Sequence, residues 1–552
     1  MRLPPPLFLV QAVAQFTGEW FSLVAEMARR MNITQRGPRV ALVLRDPTTN
    51  PDHRTVARSP TGAMKRGAAD SGCTGEVMLT RRWFALAVLA LAGWLVSACH
   101  EQPPAMAEDA PVVVTPTPAL PAPAVTVLRG GRLIDGLGGP VVENAMIVIS
   151  NGYVLSAGTP SELESPKGAT VLDLGGKTVV PGLISNHSHL GLVNGTTSGS
   201  ANYTRANILR QLAQFEAYGV TTVTSLGLNG PLFYEIQNQM RAGNVPGADF
   251  FGADRGLGVP LAAPPVKVDD SQLYRPKTPA EARQMVRESA ERGPALLKIW
   301  VDDFHGTLPQ KMAPEIYSAI IDEAHRAHLR VAAHVYYLDD AKRLVAAGID
   351  ILAHGVRDRV VDDELISAMK AHGTWYIPTL QLDESFFIYA EHPVWMATPF
   401  FKHALQPALA AQFDDPGWRE KTLANTAQIA PERQALAVGL QNLKRLHDAG
   451  IKIGFGTDSG ANPLRIPGFA EHRELQLMTE AGLSPLDAIR IATSNAAALL
   501  GLSDRGVIGA GKLADLLVVD GRPDITISDL DHIAAVWHRG RQVSNGPSEF
   551  QP

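Results

Sequence analysis

The sequence predicts an α/β protein: a (β/α)8 TIM-like barrel together with a small β-sandwich domain built from both ends of the mature chain. Three observations lead to this expectation. In the centre of the chain, short apolar runs rich in β-branched residues alternate with amphipathic helical stretches, the pattern of repeated βα units. Strand-like segments with glycine-rich turns flank that centre on both sides. Histidines collect where the apolar runs end, as functional groups do at the carboxyl-terminal rim of a barrel.

The central runs supply the strands of the predicted barrel, which is assigned to residues 181–504. Eight runs qualify as strands: 178–185, 220–226, 248–253, 296–301, 330–335, 350–355, 374–380 and 452–458. The spacing of apolar residues after Pro314 predicts a helix between two of them. Its apolar stripe consists of Ile316, Ile320, Ala324 and Ala327. Ser484 followed by Pro485 predicts the start of a later helix.

Residues 125–180 and 505–545 are predicted to form the β-sandwich domain. The segments AVTVLRGGRLIDG and AMIVISNGYVLSAG near the front, and GVIGAGKLADLLVVDG and AAVWHRGRQV near the end, are typical of short strands. A long stretch, 381–440, separates the seventh and eighth predicted barrel strands. It contains FFIYAEHPVWMATPFF, which is aromatic enough to form a lid over the barrel.

The composition excludes several classes of protein. The 552 residues include 50 Lys and Arg against 55 Asp and Glu, a formal net charge of −5, with 45% hydrophobic and 19% charged residues. This balance excludes a disordered chain and a strongly basic one, so nucleic acid is not expected as a partner. Cys73 and Cys99 are the only two cysteines, which excludes a disulfide scaffold and a cysteine-ligated metal cluster.

Residues 78–98 have the composition of an export signal. Two arginines precede an apolar run that ends in small residues before Cys99, as in a secretory signal peptide. The run from Trp83 to Ala98 holds 16 residues, fewer than the roughly 20 that cross a bilayer. The sequence VSAC that ends at Cys99 resembles a bacterial lipobox, whose cysteine is acylated and becomes the first residue of the mature protein. The alternative is an ordinary signal peptide with a chance cysteine.

The lipobox resemblance implies where the protein resides. A lipid attached to Cys99 would make it an exported bacterial lipoprotein of the outer membrane that faces the periplasm and contacts the membrane only through that anchor. His100 is not the aspartate that favours retention in the inner membrane. Residues 99–124 are rich in Pro and Ala and predict an extended tether. Residues 1–77 are expected to be a non-native upstream extension, with translation beginning at Met78, or a disordered segment.

Six polar side chains fall in or at the ends of predicted strands, where a barrel would bring them together. They are His187, His189, Lys298, His334, His354 and Asp458. Alternate residues of a strand face the same side, so both histidines of NHSHL can hold one cation through their ring nitrogens. Imidazole and carboxylate ligands suit Zn²⁺, and also Mn²⁺, Fe²⁺ or Co²⁺. Burying such groups unpaired would be costly, which favours a metal site.

Each of these residues has a plainer explanation when it is taken alone. A histidine at a strand end is usually a hydrogen-bonded polar residue, and many H-x-H pairs lie on surfaces. Lys298 could pair with Asp302 or Asp303, and Asp458 could begin a turn. The metal centre is indicated by the whole set, because its members lie far apart in sequence and on different predicted strands.

The segments that carry these residues resemble a known family. VVPGLISNHSHLG, LLKIWVDD, RVAAHV, DILAHG and GFGTDSG are similar to successive signatures of the amidohydrolase superfamily. GVIGAGKLADLLVVDG resembles that superfamily's C-terminal β segment, and the resemblance extends over residues 125–545. Within the superfamily, the chain is most similar to the imidazolonepropionase-like and Xaa-Pro-dipeptidase-like branch. The resemblance implies a (β/α)8 barrel plus a β-sandwich, in agreement with the pattern of elements.

The resemblance also implies two divalent metal ions, with zinc the expected metal. His187 and His189 would bind one ion together with Asp458, whereas His334 and His354 would bind the second. Asn186 departs from the family pattern, because aspartate often precedes the first histidine of H-x-H. That departure affects the surroundings of the ligand more than the ligand itself.

Lys298 would be carbamylated and would bridge both ions, since a carbamate offers two oxygens that an ammonium lacks. The alternative, used by some relatives, is one ion and an unmodified lysine. A metal-bridging hydroxide would attack the substrate carbonyl, and Asp458 would act as general base and then as general acid toward the leaving nitrogen.

The expected function is therefore metal-dependent hydrolysis of a C–N bond in an amide, dipeptide or cyclic amide. An esterase, lactonase or deaminase on the same scaffold is the alternative among enzymes, because the fold does not select the leaving group. A lipid-anchored metal-binding protein without turnover is the alternative from another class. The presence of Asp458, a proton carrier, argues against that last alternative.

Three residues are candidates for substrate contact. Tyr336 and Tyr337 lie just past the predicted ligand His334, where small residues are common in related enzymes, and His305 lies near the end of the segment WVDDFHG. Packing beneath the rim is the alternative for each. The expected partner is a small-molecule amide or peptide. The sequence does not identify the molecule, and it leaves the oligomeric state open, a homo-oligomer included.

Overall fold

The structure, a computed structural model, describes residues 125–549. The predicted upstream extension, signal peptide, acylated Cys99 and tether therefore lie outside the described residues. Within the described region, no helix combines the length and apolar character that crossing a bilayer requires.

Seventeen strands are present in the described region. In chain order they are β1 Val125–Leu133, β2 Val142–Ser150, β3 Tyr153–Gly158, β4 Thr170–Asp173, β5 Lys177–Pro181, β6 Leu183–Ser188, β7 Val193–Asn194, β8 Thr197–Ser198, β9 Val220–Ser225, β10 Asp249–Gly252, β11 Leu297–Trp300, β12 Val331–His334, β13 Ile351–Ala353, β14 Trp375–Ile377, β15 Leu516–Asp520, β16 Ile533–His538 and β17 Arg541–Ser544.

Fifteen α-helices lie among these strands in the described region. They are α1 Arg205–Ala217, α2 Pro231–Arg241, α3 Pro279–Glu291, α4 Pro314–Arg326, α5 Leu338–Ala346, α6 Asp363–His372, α7 Leu380–Glu384, α8 Ile388–Glu391, α9 Pro399–Lys402, α10 Pro407–Asp414, α11 Pro416–Ala424, α12 Thr426–Asp448, α13 Phe469–Glu480, α14 Pro485–Arg490 and α15 Ala496–Leu500. Short 3-10 helices occur at Ser200–Asn202, Val394–Ala397, Ile527–Asp531 and Pro547–Glu549, and a π-helical turn occurs at Ile491–Asn495.

The predicted helix starts are confirmed. Helix α4 begins at Pro314 and buries Ile316, Ile320 and Ala324, the apolar stripe of the sequence. Helix α14 begins at Pro485, where the side chain of Ser484 accepts a hydrogen bond from the third residue of the helix and so satisfies one of the free N–H groups of the first turn.

A closed parallel barrel occupies the centre of the chain. Strands β6, β9 and β10 pair in parallel, and so do β11 to β14. A bridge between Ala253 and Leu296 joins the two groups on one side, and residues 453–459 join β14 to β6 on the other. The TIM-like α/β fold predicted from the sequence is confirmed.

The eighth predicted strand, 452–458, is not a regular strand. It closes the barrel through two backbone hydrogen bonds to β14 on one side and three to β6 on the other. Gly456 brings this segment so close to β6 that a Cβ there would lie 2.6 Å from the Cβ of His187. Asp458 has φ of 61°, a left-handed conformation that ends strand geometry.

Residues 178–185, predicted as one strand, belong to two different sheets. β5 pairs with β1 and β15, whereas β6 pairs with β9 in the barrel. Gly182 lies between β5 and β6, and a Cβ there would lie 2.3 Å from Oγ1 of Thr221. The prediction of one continuous strand was wrong because the apolar pattern runs through a change of sheet.

Strands from both ends of the described chain form one eight-stranded sheet. Its order is β17-β16-β15-β5-β1-β2-β3, and β4 also pairs with β1. Apolar residues of this sheet, including Leu128, Ile147 and Trp537, share a core of their own. Because all eight strands belong to one paired sheet, the predicted sandwich of two sheets is not confirmed, and the predicted domain boundaries stay predictions.

The stretch 381–440 folds into short helices with an aromatic core. Tyr389 stacks on Phe413 with ring centroids 4.7 Å apart, and Phe401 packs beside both. The hydroxyl of Tyr218, at the end of α1, donates to the backbone carbonyl of Phe400 at 2.7 Å. These contacts fix the insertion against the barrel and bring the first turns of α12 to the barrel rim.

Candidate active site

The six predicted ligands converge at the carboxyl-terminal rim of the barrel. All are buried: His187, His189, Lys298, His334, His354 and Asp458. The pairing of β6 with β9 becomes irregular between Ser185 and Ser188, where the strand bends as it delivers the H-x-H pair to the rim.

Asp458 is the centre of the group. Its Oδ1 lies 3.2 Å from Nε2 of His187 and 3.0 Å from Nε2 of His189, so both imidazoles of the H-x-H pair reach the same oxygen. Ligand atoms of His187, His354 and Asp458 all lie within 4.8 Å of one another. The other carboxylate oxygen of Asp458 accepts a hydrogen bond from Arg465.

The second pair of histidines lies beside the first. The His354 ring is 4.4 Å from the His187 ring and 4.4 Å from the His334 ring, measured between centroids. Thr379 Oγ1 lies 3.0 Å from Nδ1 of His354, and Asp302 Oδ2 lies 3.2 Å from Nε2 of His334. These contacts orient both rings toward the centre of the barrel mouth.

Lys298 is fully buried beneath the histidines. Its Nζ lies 3.3 Å from Nε2 of His187 and 5.5 Å from the centre of the Trp300 ring. Burial lowers the pKa of Lys298 to about 7, because a charged ammonium is poorly solvated there. The neutral amine is therefore well populated at neutral pH.

The protonation states of these groups suit a divalent cation. Burial lowers the pKa of His187 and of His354 well below the usual value, so both rings are neutral and keep a lone pair. Burial alone would raise the pKa of Asp458, but Arg465 and the neighbouring imidazoles hold it well below its usual range. Nδ1 of His187 and of His189 has no hydrogen-bond partner among the described residues. Neutral imidazoles with an ionised carboxylate form a donor set that fits zinc.

These ligands open onto a cavity of about 580 Å³. His189, His334, His354 and Asp458 lie on its floor, and Trp300, Phe304 and Phe386 contribute apolar walls. The insertion closes one side with residues of α7, α12 and the segments between them. A cavity of this size and lining is suited to a small organic molecule.

The three predicted substrate contacts have different surroundings. His305 lines the cavity, and its ring lies 3.9 Å from the ring of Tyr336. Tyr336 also lies against the guanidinium of Arg357, at 5.3 Å from its ring centre. The hydroxyl of Tyr337 donates to Asp303 at 2.9 Å. Whether any of the three contacts substrate stays a prediction.

Several residues near the site could not be found from the sequence. Asp302 and Thr379 hold histidine rings, and Arg357, Arg465 and Glu432 line the cavity. Asp302 offered a weak signal, since it directly follows a predicted strand. Thr379 lies inside the predicted strand 374–380, but nothing in the sequence marked it as a site residue. Arg357, Arg465 and Glu432 lie in loops or in the insertion, where no strand period applies.

Asn186, the departure from the family pattern, has a structural role. Its Nδ2 donates to the carbonyl of Ala496 at 3.0 Å, and its Oδ1 accepts from the N–H of Phe455 at 3.1 Å. Asn186 therefore links β6 to the segment that closes the barrel. An aspartate could accept from Phe455 but could not donate to Ala496.

Fold and site together define a TIM-like barrel protein whose carboxyl-terminal rim gathers side chains that could hold a metal ion. The model of the amidohydrolase family matches residues 178–544 of the chain. The chain belongs to the amidohydrolase family and is a hydrolase that acts on carbon–nitrogen bonds, so the resemblance drawn from the motifs is confirmed.

Known relatives agree with this assignment. Ochratoxinase from Aspergillus niger is 25% identical over 464 residues, which cover 77% of this chain and 87% of ochratoxinase. A candidate prolidase from Bifidobacterium longum has a crystal structure with a TM-score of 0.62 and 26% identity, over 77% of this chain and 96% of that one. A Xaa-Pro dipeptidase with bound methionine in its active site has a TM-score of 0.60 at 23% identity, over 76% and 100% of the two chains. At that identity, the dipeptidase supports the fold alone.

Proposed function

We propose that this hydrolase is metal-dependent and cleaves the C–N bond of a small amide, a dipeptide or a cyclic amide. The position of Asp458 carries the proposal. One oxygen of its carboxylate touches two imidazole nitrogens, at 3.2 and 3.0 Å, on the floor of a cavity that can admit a small molecule. A carboxylate in that place can transfer a proton to or from a molecule bound in the cavity.

The buried histidines would hold the metal ions. His187 and His189 with Asp458 are the expected ligands of one ion, and His334 and His354 are those of the second. Zn²⁺ fits this donor set, and Mn²⁺, Fe²⁺ or Co²⁺ are compatible with it. When bound, such ions would lower the pKa of water to about 7 and polarise the carbonyl of the scissile amide.

Lys298 would join the two groups of ligands after carbamylation. The reaction with carbon dioxide requires an uncharged amine, and the burial that lowers the pKa of Lys298 to about 7 provides it at neutral pH. The Nζ atom lies 3.3 Å from Nε2 of His187, one of the expected ligands of the first ion. A carbamate at that position would present two oxygens and one negative charge to them.

Asp458 would carry the proton of the reaction. Because its carboxylate is ionised at neutral pH, it can accept a proton from the attacking water and then deliver it to the leaving nitrogen. The hydrogen bond from Arg465 fixes the orientation of the carboxylate. The residue thus acts first as a base and then as an acid within one turnover.

The cavity and the relatives support a small amide as substrate. The volume of about 580 Å³ and the mixed apolar and charged lining are suited to a dipeptide or an N-acyl amino acid. Ochratoxinase and the candidate prolidase extend over most of this chain and, with the family match, support an amide as the substrate.

The direct test is a screen of metal-depleted protein that is then reconstituted with Zn²⁺ or Mn²⁺. The substrates are N-acyl amino acids and dipeptides, and hydrolysis is measured as release of the free amine. We expect activity to appear with metal and to disappear on chelation. Full activity in protein free of divalent ions would refute the proposal. Turnover of esters or lactones alone would favour the esterase alternative, and metal binding without turnover would favour the binding protein.

We also propose that Cys99 carries a lipid that anchors the enzyme to the bacterial outer membrane. The support is the signal-like run before Cys99 and the Pro- and Ala-rich stretch after it. Cells that express the protein should incorporate labelled palmitate into it, and Cys99→Ser should abolish the label. Equal labelling of the two proteins would rule out the anchor.

A further inference from the structure

One carboxyl group on the cavity wall has no partner. Glu432 lies on α12, in the insertion, and lines the cavity that holds the predicted ligands. Only 9% of its surface is exposed. Its Oε2 has no hydrogen-bond partner in the part of the chain that the structure describes. A buried carboxylate left in this state is costly, so a native structure that retains it calls for an explanation.

The nearby positive charges are already engaged by other carboxylates. Arg357 Nη1 donates to Oδ1 of Asp383 at 3.1 Å, and Arg465 donates to Asp458. Burial lowers the pKa of His305 to about 4, so the imidazole on the same wall is neutral at physiological pH. Arg357 and Arg465 act on Glu432 through their charge, but among the described residues neither donates a hydrogen bond to its Oε2.

Apolar residues of the insertion also contribute to the lining near Glu432. Three apolar residues of the insertion line the same cavity as Glu432: Leu382, Phe386 and Pro431. Burial and the charge of Asp383 raise the pKa of Glu432 to about 7, against the opposing charges of Arg357 and Arg465. A cation placed against the carboxyl group from the cavity would favour its ionised form.

We propose that Glu432 binds a cationic nitrogen of the substrate, so that the enzyme selects amides that carry an ammonium group. This inference rests on the proposed function, and it adds a specificity determinant from outside the barrel. The ammonium can be the free α-amino group of a dipeptide or the amine of a basic side chain, since both present the same N–H donors to the carboxylate. A neutral N-acyl amide would displace water from the cavity without giving the carboxylate of Glu432 a cationic partner.

The test uses two matched pairs of substrates. In the first pair, a dipeptide with a free α-amino group is compared with its N-acetyl form. In the second, an N-acetylated lysyl dipeptide is compared with the corresponding norleucyl compound. Each pair removes one ammonium and preserves the scissile amide. The wild-type enzyme should prefer the cationic member of at least one pair by about 10- to 100-fold in kcat/KM, the usual range for a buried charge-assisted hydrogen bond.

Glu432→Gln should abolish that preference while it preserves hydrolysis of the neutral member of the pair. Retained hydrolysis of the neutral member also shows that the variant is folded and contains metal. Glu420→Gln is the matched control, because Glu420 lies in the same insertion but is exposed and does not belong to the cavity lining. This control should keep the wild-type preference.

The outcomes separate the two proposals. If the wild-type enzyme hydrolyses both members of each pair equally well, or if Glu432→Gln leaves a preference intact, the inference about Glu432 is wrong and the proposed function stands. A loss of all activity in Glu432→Gln together with normal folding and metal content would assign Glu432 to the reaction itself and also overturn the inference. If the wild-type enzyme hydrolyses no amide, the proposed function is refuted, and the inference about Glu432 is refuted with it.

Discussion

A buried histidine far from the cavity should make the stability of this enzyme depend on pH. His538 ends β16, and its Nδ1 lies 2.6 Å from Oε1 of Glu216, at the end of α1. Its Nε2 lies 3.6 Å from Oδ1 of Asp249, at the start of β10. Asp249 also accepts hydrogen bonds from Arg505 and Arg539, at 2.5 and 2.6 Å. The cluster therefore ties the terminal sheet to the barrel.

The two carboxylates make His538 a strong base. Burial alone would lower its pKa, but the neighbouring carboxylates of Asp249 and Glu216 raise it to about 10. Because the pKa is higher in the folded than in the unfolded protein, the protonated ring stabilises the fold fully below about pH 6.5 and loses this effect as the pH rises through about 10. At 1.36 kcal/mol per pKa unit, the contribution is about 4 kcal/mol at pH 7 and about 1 kcal/mol at pH 9.5.

His538→Gln isolates the charge, since glutamine can donate a hydrogen bond but cannot be protonated. We expect it to lower the free energy of unfolding by about 4 kcal/mol at pH 7 and by about 1 kcal/mol or less at pH 9.5. The measurement is urea denaturation followed by tryptophan fluorescence, or the apparent melting temperature at one scan rate. His532→Gln is the control, because the His532 side chain is 65% exposed and lies 3.9 Å from Asp529. It should change stability little at either pH.

A constant loss of stability for His538→Gln at pH 7 and pH 9.5 would refute this reasoning. Such a result would mean that the ring contributes by packing and not by its charge. No loss at either pH would mean that the ring is neutral in the folded protein, despite the two carboxylates beside it.

Three further substitutions test the active site and the point at Gly182 where the chain passes from the terminal sheet into the barrel. Asp458→Asn keeps the shape of the side chain but removes the proton acceptor, so kcat should fall by about 10²- to 10⁴-fold. The kcat is measured in steady state, and bound metal is determined in parallel. An unchanged kcat would exclude Asp458 as the proton carrier. Lys298→Ala should abolish activity and halve the metal content measured by mass spectrometry, and unchanged stoichiometry would exclude a bridging role. Gly182→Ala places a Cβ 2.3 Å from Thr221 Oγ1 and should lower the melting temperature. Adding Thr221→Ala should partly restore it. Equal melting temperatures of the single and double variants would mean that this contact does not cause the loss of stability.

The sequence could predict that these side chains meet at one rim because their positions follow the geometry of strands; their role as metal ligands stays a prediction. His334 occupies the last position of β12, and His354 directly follows β13. In a closed barrel, such positions meet at one rim, whatever their distance along the chain. The alternation of side chains along a strand likewise placed His187 and His189 on one side, where both now reach Asp458. Strand periodicity was enough to find the centre of the site.

Other features have no such period. The change of sheet at Gly182 lies inside one apolar run, so the sequence pattern could not reveal it. The segment before Asp458 closes the barrel through backbone hydrogen bonds outside a regular strand; it approaches β6 closely at Gly456 and ends at a left-handed residue. Arg357 and Arg465 are fixed by partners that lie 26 and 7 residues away, in loops where neither helix nor strand spacing applies.

The chemistry and the proposed selectivity of this enzyme come from different parts of the chain. The predicted metal ligands are fixed by barrel strands and the closing segment, whereas Glu432 is fixed by α12 of the insertion. Since Glu432 has no bonded partner among the described residues, replacing it removes no contact that holds a ligand in place. Metal content should therefore be equal in Glu432→Gln and in the wild-type enzyme, even where their substrate preferences differ. A loss of metal in that variant would mean that the insertion shapes the ligand site itself, and substrate choice and catalysis could not then be separated in this fold.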